Sequence, residues 1–198
     1  MNKSFHLLLT SAALFFLISC TSTKYVPDGS YLLDEVKIHT DSKHIHSSDL
    51  RTYVRQSPNA KWFSLFKTQL YIYDLAGRDS TKWVNRFFKR IGDEPIIYNE
   101  AEAVRSQEEI LKAVQNMGYM SASVKRTVEL KKKTHLYYDV IAGPPYIVKS
   151  FSYHIDNPKI ESIIKQDSAK IKLKSGMVFD INVLDEERLE TAGQLIWE

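Results

Sequence analysis

The sequence predicts an α+β fold of two tandem domains, each built of helices and strands. Three observations predict it. Residues 101–117 carry apolar side chains at the three- and four-residue spacing of an amphipathic helix. Two alternating stretches rich in Tyr, Val and Thr follow, as is typical of a β-hairpin. The same order of elements begins again after residue 146, which indicates a repeated domain.

Composition and charge exclude some functions. The chain has 198 residues, enough for one or two small domains, and its 43% hydrophobic and 26% charged content is ordinary for globular protein. The formal net charge of +3 is too small to indicate a nucleic-acid partner. The sequence has no glycine-rich phosphate loop, no His–Glu helix pair and no nucleophile elbow, so an enzyme is not expected.

The N-terminus has the features of a bacterial lipoprotein signal peptide, which we place at residues 1–19. Its apolar run, Leu7–Ile18, is too short to span a bilayer and is followed by Cys20, the only cysteine of the chain. The residues up to this cysteine resemble a lipobox, in which the cysteine receives lipid; an ordinary signal peptide that contains a cysteine is the alternative. Thr21 is not an inner-membrane retention residue, so we expect an anchor on the periplasmic face of the outer membrane. No other cofactor is expected.

The first domain is expected over residues 31–143, after a tether at residues 20–30. Its first strand is predicted over residues 31–40, because apolar residues alternate there. The side chains expected on the buried face are Leu33, Val36 and Ile38.

A polar turn and a short helix are expected next. Ser47–Asp49 supplies candidate N-caps for a helix over residues 50–55. His44 and His46 could share one face of a strand and bind a metal ion. The sequence shows no third ligand nearby and the flanking residues are typical of a loop, so we favour a solvated turn and expect no metal.

Residues 60–91 form an unusual insertion with eight aromatic residues and seven basic residues against two acidic ones, a net charge of +5. A helix is predicted over residues 79–90. Aromatic side chains among cations are typical of a membrane surface or a partner interface. The alternative is an insertion whose aromatic side chains fill a local core while the cations stay solvated.

The helix over residues 101–117 begins the second half of this domain, with Val104, Ile110, Leu111 and Val114 predicted on its apolar face. Gly118 follows where a helix needs a left-handed residue, which a Cβ makes costly. The two strands are predicted over residues 119–130 and 134–142, with a lysine turn between them.

The second domain is expected over residues 144–198. A strand is predicted over residues 146–155, then a helix that begins at Asn157-Pro158 and another that contains Leu184 and Leu195. Setting Phe179-Asp180 over Tyr98-Asn99 gives an offset of 81 residues. At this offset the chain ends before the residues that would match the first domain's hairpin.

This arrangement resembles POTRA domains, the periplasmic modules of BamA/TamA-type outer-membrane assembly factors, and the resemblance implies helices packed on a small mixed sheet. A helix that ends in Gly118-Tyr119 and the junction Gly143–Tyr146 carry the general resemblance. Three stretches resemble, more closely, the TamL-like lipoprotein branch of Bacteroidetes: residues 20–33 (CTSTKYVPDGSYLL), 70–75 (LYIYDL) and 92–98 (GDEPIIY).

The resemblance implies a role in folding or inserting outer-membrane proteins, whose strands would pair with an exposed sheet edge. The candidate edges are residues 31–40 and the strand near residues 149–153. The candidate partner-binding side chains are Trp62, Phe66, Tyr71, Tyr73, Trp83, Phe87, Lys149, Phe151 and Tyr153. The expected partners are unfolded outer-membrane proteins and an inner-membrane-anchored, TamB-like protein. A lipid-anchored adaptor without insertion activity is the alternative.

Overall fold

The computed structural model describes residues 23–61, 67–152, 156–166 and 171–196. The strands are β1 (Leu32–Thr40), β2 (Ser123–Glu129) and β3 (Lys133–Ile141). The helices are α1 (Ser47–Leu50, continued by a 3-10 turn at Arg51–Tyr53), α2 (Thr68–Leu75), α3 (Trp83–Ile91), α4 (Glu100–Asn116), α5 (Pro158–Gln166) and α6 (Ile181–Ile196). The predicted α+β class is confirmed. Within these residues, no helix is both long and apolar enough to cross a membrane.

The three strands form one sheet in the order β1-β3-β2. A short turn joins β2 to β3, so these two strands are antiparallel. Leu32 N donates to Lys132 O and Asp41 N donates to Val140 O. Both partners advance together along the chain, so β1 runs parallel to β3. The sheet is therefore mixed, as predicted, and its central strand buries Thr134, Leu136, Tyr138 and Val140.

The chain divides into two compact units that interleave along the sequence. The first comprises residues up to Lys37, Arg55–Ala103 and Arg126–Tyr137; the second comprises Ile38–Val54, Val104–Lys125 and the residues from Tyr138 onward. This division does not test the predicted domain boundaries, which stay predictions.

Helix α4 confirms the predicted helix, but its buried face differs in part. The side chains it buries are Ala103, Ser106, Ile110, Ala113 and Val114. Val104, predicted on this face, is exposed, because it lies about a quarter turn from Ala103 and away from the centre of that stripe. The buried stripe consists largely of small residues, which bring the helix close to the strands; Gln107 Nε2, for example, donates to Val124 O at 2.8 Å.

Gly118 ends α4 in the left-handed conformation that the sequence predicts, with φ of +94°. Its N–H donates to Gln115 O at 2.9 Å, and Tyr119 N donates to Val114 O at 3.2 Å. A Cβ added at Gly118 would lie 2.1 Å from Phe179 O. The position therefore excludes other residues for two reasons, conformation and space. The following strand starts at Ser123 rather than at the predicted residue 119, because the intervening residues form a turn.

Two short antiparallel pairings, one in each compact unit, follow the same pattern. In the first pairing, Tyr98 N donates to Tyr31 O (2.8 Å) and Leu33 N donates to Ile96 O (2.8 Å). The corresponding bonds of the second pairing are Phe179 N to Tyr146 O (2.8 Å) and Val148 N to Met177 O (2.9 Å). The bridge residues Ile97 and Val178 are 81 positions apart, which is the predicted offset.

The helices that follow the two pairings are capped alike. Asn99 Oδ1 accepts a hydrogen bond from Ala101 N at 2.9 Å before α4, and Asp180 Oδ1 accepts one from Asn182 N at 2.8 Å before α6. These caps satisfy amide groups that a helix start leaves unpaired. The caps also lie 81 positions apart, so the repeat extends into the helices.

Two local predictions are wrong. The helix predicted over residues 50–55 begins at Ser47 and tightens to a 3-10 turn, and its cap position is His46 rather than a residue of Ser47–Asp49. The strand predicted over residues 146–155 is reduced, within the described residues, to the bridge at Ile147. β1 pairs with residues 96–98 on one side and with β3 on the other. Within the described residues, the segment at Ile147 pairs only with the segment at Val178 and has no second neighbouring strand.

Candidate partner-binding surfaces

The predicted site residues fall in separate places. Cys20, Trp62, Phe66 and Tyr153 lie outside the described residues. Tyr71 and Tyr73 are half-buried on α2, whereas Trp83 and Phe87 are exposed on α3. Lys149 and Phe151 are exposed in a segment without regular structure. His44 and His46 lie in the irregular segment between β1 and α1, and within the described residues no group of three or more His, Cys, Asp or Glu side chains could hold a metal ion.

Helices α2 and α3 pack against each other as a tight hairpin. Asn85 on α3 accepts a hydrogen bond from Gly77 N at 2.8 Å and donates to Asp79 O at 2.6 Å. A Cβ added at Gly92, just after α3, would lie 2.4 Å from Tyr73 N. The helix predicted over residues 79–90 is therefore confirmed with a later start, at Trp83. Helix α2 was not predicted, because its sequence has no clear apolar face.

The tether is held against this hairpin. Lys24 Nζ donates to the main-chain oxygens of Asp74 (2.9 Å) and Ala76 (2.7 Å), and Tyr25 Oη also donates to Ala76 O. The Tyr25 ring meets the Tyr73 ring edge-on at 5.1 Å between centroids. Lys89 Nζ of α3 lies 5.5 Å from the centre of the Tyr25 ring. Tyr73 thus contacts the chain's own tether, which the sequence did not indicate.

Asp74 is a buried carboxylate on α2. Asp74 is 4% exposed, and neither of its carboxylate oxygens has a hydrogen-bond partner in the part of the chain that the structure describes. Burial raises the pKa of Asp74 to about 6, although the nearby ammonium of Lys24 acts in the opposite direction. At neutral pH this hairpin therefore contains an ionised group that is poorly solvated.

A second buried charge lies beside β1. Lys67 Nζ, 8% exposed, contacts Asp34 Oδ1 at 2.9 Å and donates to Asp34 O at 2.7 Å. Burial alone would raise the pKa of Asp34, but the hydrogen bond and charge of Lys67 hold it below its ordinary value. Burial lowers the pKa of Lys67, and Asp34 only partly offsets this. The pair fixes the early part of the insertion to the first strand.

Two side chains hold the segment that pairs with β1. Asn59 Nδ2 donates to Glu94 O at 2.8 Å, and Asn59 Oδ1 accepts from Ile96 N at 3.1 Å. Gln56 makes the same kind of double contact, donating to Ile97 O at 3.4 Å and accepting from Asn99 N at 3.2 Å. Both amides supply the donor and acceptor that a neighbouring strand would supply. No local sequence pattern indicates this role for Asn59.

The two edge strands of the sheet are not equally covered. Successive N–H groups of a strand point to opposite sides, so Leu33 N, bonded to Ile96 O, lies on the side of β1 away from β3. The start of β1 is therefore covered by its own chain. The other edge strand, β2, has β3 as its neighbour on one side. Its exposed side chains are Ser123, Lys125, Thr127 and Glu129.

The chain was compared with known proteins. The profile of the POTRA family, described as "Surface antigen variable number repeat", matches residues 31–143. The POTRA3-5 crystal structure of Haemophilus influenzae BamA is 13% identical and covers 85% of this chain and 89% of its own, with a TM-score of 0.32, too low to add to the family assignment. No curated protein matches the chain. The family profile spans more than half of the chain, and the chain belongs to the POTRA family.

Proposed function

We propose that this chain is the periplasmic POTRA region of an outer-membrane lipoprotein that helps to fold, insert or translocate outer-membrane proteins. It binds unfolded clients by β-augmentation, in which a client strand pairs with an edge of the sheet. The observation that carries the proposal is the sheet order β1-β3-β2, which leaves β2 at an edge of a sheet in a POTRA-family chain.

The client edge is β2 rather than either edge named from the sequence. The segment near residues 149–153 has no strand within its described residues, so it offers no continuous row of backbone groups. The start of β1 is bonded to residues 96–98 on its outer side. β2 has no neighbouring strand on its outer side in the described sheet, and the side chain of Gln107 donates a hydrogen bond to Val124 O.

Strand pairing suits a protein with many clients. Backbone hydrogen bonds provide the affinity, and they place little demand on the client sequence. An edge strand is a template of this kind, and natural proteins usually protect such edges with charged side chains. β2 carries Lys125 and Glu129 on its exposed face, so it can stay soluble while it remains available to a client.

The lipid anchor and the cellular location are inferred from the N-terminal residues. Lipid on Cys20 would hold the chain on the periplasmic face of the outer membrane, and several acyl chains give lasting attachment because each buried CH₂ contributes about 0.8 kcal/mol. The docking of Lys24 and Tyr25 on the helical hairpin supports this, because it keeps the folded part close to the lipidated residue. Membership of the TamL-like branch and a TamB-like partner are part of the same proposal.

Site-specific photocrosslinking tests the client edge. A photoreactive residue replaces Lys125 or Thr127 on β2, and Lys112, exposed on α4, is the matched control. Cells are irradiated while outer-membrane proteins are being assembled. We expect crosslinks to unfolded barrel proteins from both β2 positions and few from Lys112. Equal crosslinking from all three positions, or none from β2, would contradict binding at this edge.

Membrane fractionation of the same cells tests the anchor with Cys20→Ala. The wild-type chain is expected in the outer-membrane fraction with lipid on Cys20, and the variant is expected to lose that attachment. An anchored chain that crosslinks to no client would support the lipid-anchored adaptor instead. A wild-type chain without lipid on Cys20 would contradict the proposed anchor.

A further inference from the structure

Helix α3 presents an apolar stripe to solvent. Trp83, Phe87 and Ile91 follow one another at four-residue spacing and are 71%, 52% and 44% exposed. Residues at this spacing lie on the same face of a helix. Val84, beside Trp83, is also exposed. A soluble helix normally turns such a stripe toward its own core, so this face has an unexplained apolar surface.

A basic stripe runs beside the apolar one. Lys82, Arg86 and Arg90 have the same four-residue spacing, each one residue before a member of the apolar stripe, and all three are exposed. The side that packs inward is different and consists of less exposed residues: Asn85, Phe88, Lys89 and Gly92. α3 itself contains no acidic residue. A solvated helix face with cations beside Trp and Phe is the pattern of a helix that lies in a membrane interface.

The size of the apolar surface also favours lipid over a protein partner. The exposed surface of four apolar side chains, Trp83, Val84, Phe87 and Ile91, amounts to roughly 400 Å², since a large aromatic side chain has about 150–250 Å² to bury. A stable protein interface needs about 800 Å² on each partner. A membrane contact needs no such minimum area, because lipid on Cys20 would already hold α3 next to the membrane. Each cation near anionic lipid adds about 1 kcal/mol.

The position of the tether brings the membrane within reach. Lys24 and Tyr25 are bonded to Asp74 and Ala76 at the end of α2, and Lys89 of α3 lies against the Tyr25 ring. Cys20 precedes Lys24 by four residues. An extended chain spans at most about 3.6 Å per residue, so Cys20 is within about 14 Å of Lys24.

We propose that α3 lies flat on the anionic phospholipid surface to which Cys20 is anchored. Trp83, Phe87 and Ile91 enter the interface, while Lys82, Arg86 and Arg90 bind lipid phosphates. Of the proposed function, this inference requires only the lipid anchor at Cys20. The contact fixes the orientation of the first compact unit toward the membrane, which a flexible lipid tether would not do.

The test measures the depth of single labelled positions in vesicles of phosphatidylethanolamine and phosphatidylglycerol. An environment-sensitive dye is placed on the full lipidated chain carrying Phe87→Cys or, as a matched control, Leu130→Cys; Leu130 is equally exposed, at 55%, but lies in the turn between β2 and β3. The unsubstituted chain reports any labelling of Cys20. We expect brominated lipid to quench the dye at position 87 and to leave the dye at position 130 unchanged.

A charge variant tests the role of the basic stripe. Lys82→Gln, Arg86→Gln and Arg90→Gln together should shift the ratio of lipid-inserted to aqueous dye at position 87 by on the order of 100-fold, since three cations each add about 1 kcal/mol. The control removes the same charge from exposed positions elsewhere, Lys43→Gln, Lys112→Gln and Lys132→Gln, and should leave the ratio unchanged.

The outcomes separate this inference from the anchor. An aqueous dye at position 87 in vesicle-bound protein overturns the inference and leaves the anchor intact. A dye that is shielded at position 87 without quenching by brominated lipid also overturns it, because a protein surface then covers α3. If mass spectrometry finds no lipid on Cys20 but the dye at position 87 is quenched, the anchor fails and the contact of α3 with the lipid surface stands. If there is neither lipid nor quenching, both fail.

Discussion

In the first compact unit, single side chains make hydrogen bonds to the main chain that the backbone of a neighbouring strand usually makes. Asn59 and Gln56 each pair with one donor and one acceptor of residues 94–99, and this holds the segment that bonds to β1. Lys67 does the same for the start of the insertion by bonding to both a side-chain and a main-chain oxygen of Asp34. Such contacts join residues 30 or more positions apart, so local sequence patterns do not reveal them.

Asp74 should make stability depend on pH. Its pKa is about 6 in the folded chain against an ordinary value of 3.8, so the folded state binds the proton more tightly than the unfolded state. The resulting stability is present below pH 4 and is lost as the pH rises through 6. A shift of about two pKa units corresponds to at most about 3 kcal/mol. We therefore expect Asp74→Asn to raise the free energy of unfolding at pH 7.5 by about 1–3 kcal/mol.

Urea unfolding at pH 4 and pH 7.5 measures this difference. The advantage of Asp74→Asn should nearly vanish at pH 4, where the wild-type carboxyl is protonated. Asp28→Asn is the control, because Asp28 is exposed and loses the same charge. An Asp74→Asn variant that is less stable than wild type at pH 7.5 would mean that the ionised carboxylate is stabilised in the folded chain.

At the scale of elements, the sequence predicts best where one local pattern determines the structure. Helix α4, the left-handed Gly118 and the hairpin were predicted from periodicity and turn residues, and they are confirmed. Helix α2 was not predicted, because its stability depends on packing with α3 and the tether rather than on its own periodicity. Among the residues that the structure describes, the strand predicted after residue 146 has no second neighbouring strand, and alternation of side chains cannot supply one.

The close approach of Gly118 to Phe179 gives a prediction about the repeat junction. Gly118→Ala should destabilise for two reasons, a left-handed conformation that costs about 1–2 kcal/mol and a contact with Phe179 O that costs about 1–3 kcal/mol more. Gly176→Ala is the matched control, since Gly176 has φ of +88° but nothing within 4 Å of an added Cβ. Thermal unfolding of both variants measures the difference, and equal losses of stability would show that the contact with Phe179 is unimportant.

At the scale of the whole molecule, the family could be predicted from the sequence, whereas the coverage of the sheet edges could not. The bridge residues Ile97 and Val178 have the same 81-residue offset that the sequence pattern shows. The client edge was assigned by sequence to β1 or to the segment after residue 146. Strand order leaves both β1 and β2 at an edge, and the hydrogen bonds of Tyr31 and Leu33 to residues 96–98 cover the start of β1. Both are long-range pairings that local sequence patterns do not reveal.

Client binding at β2 is the central proposal, and amide hydrogen exchange tests it most directly. The full chain is incubated in D₂O with and without an unfolded outer-membrane barrel protein, and exchange is followed by mass spectrometry. Pairing with a client strand predicts slower exchange in peptides that cover β2 and unchanged exchange in those that cover α1 and its 3-10 turn. Client binding with unchanged exchange in β2, or with protection confined to other segments, would contradict β-augmentation at this edge.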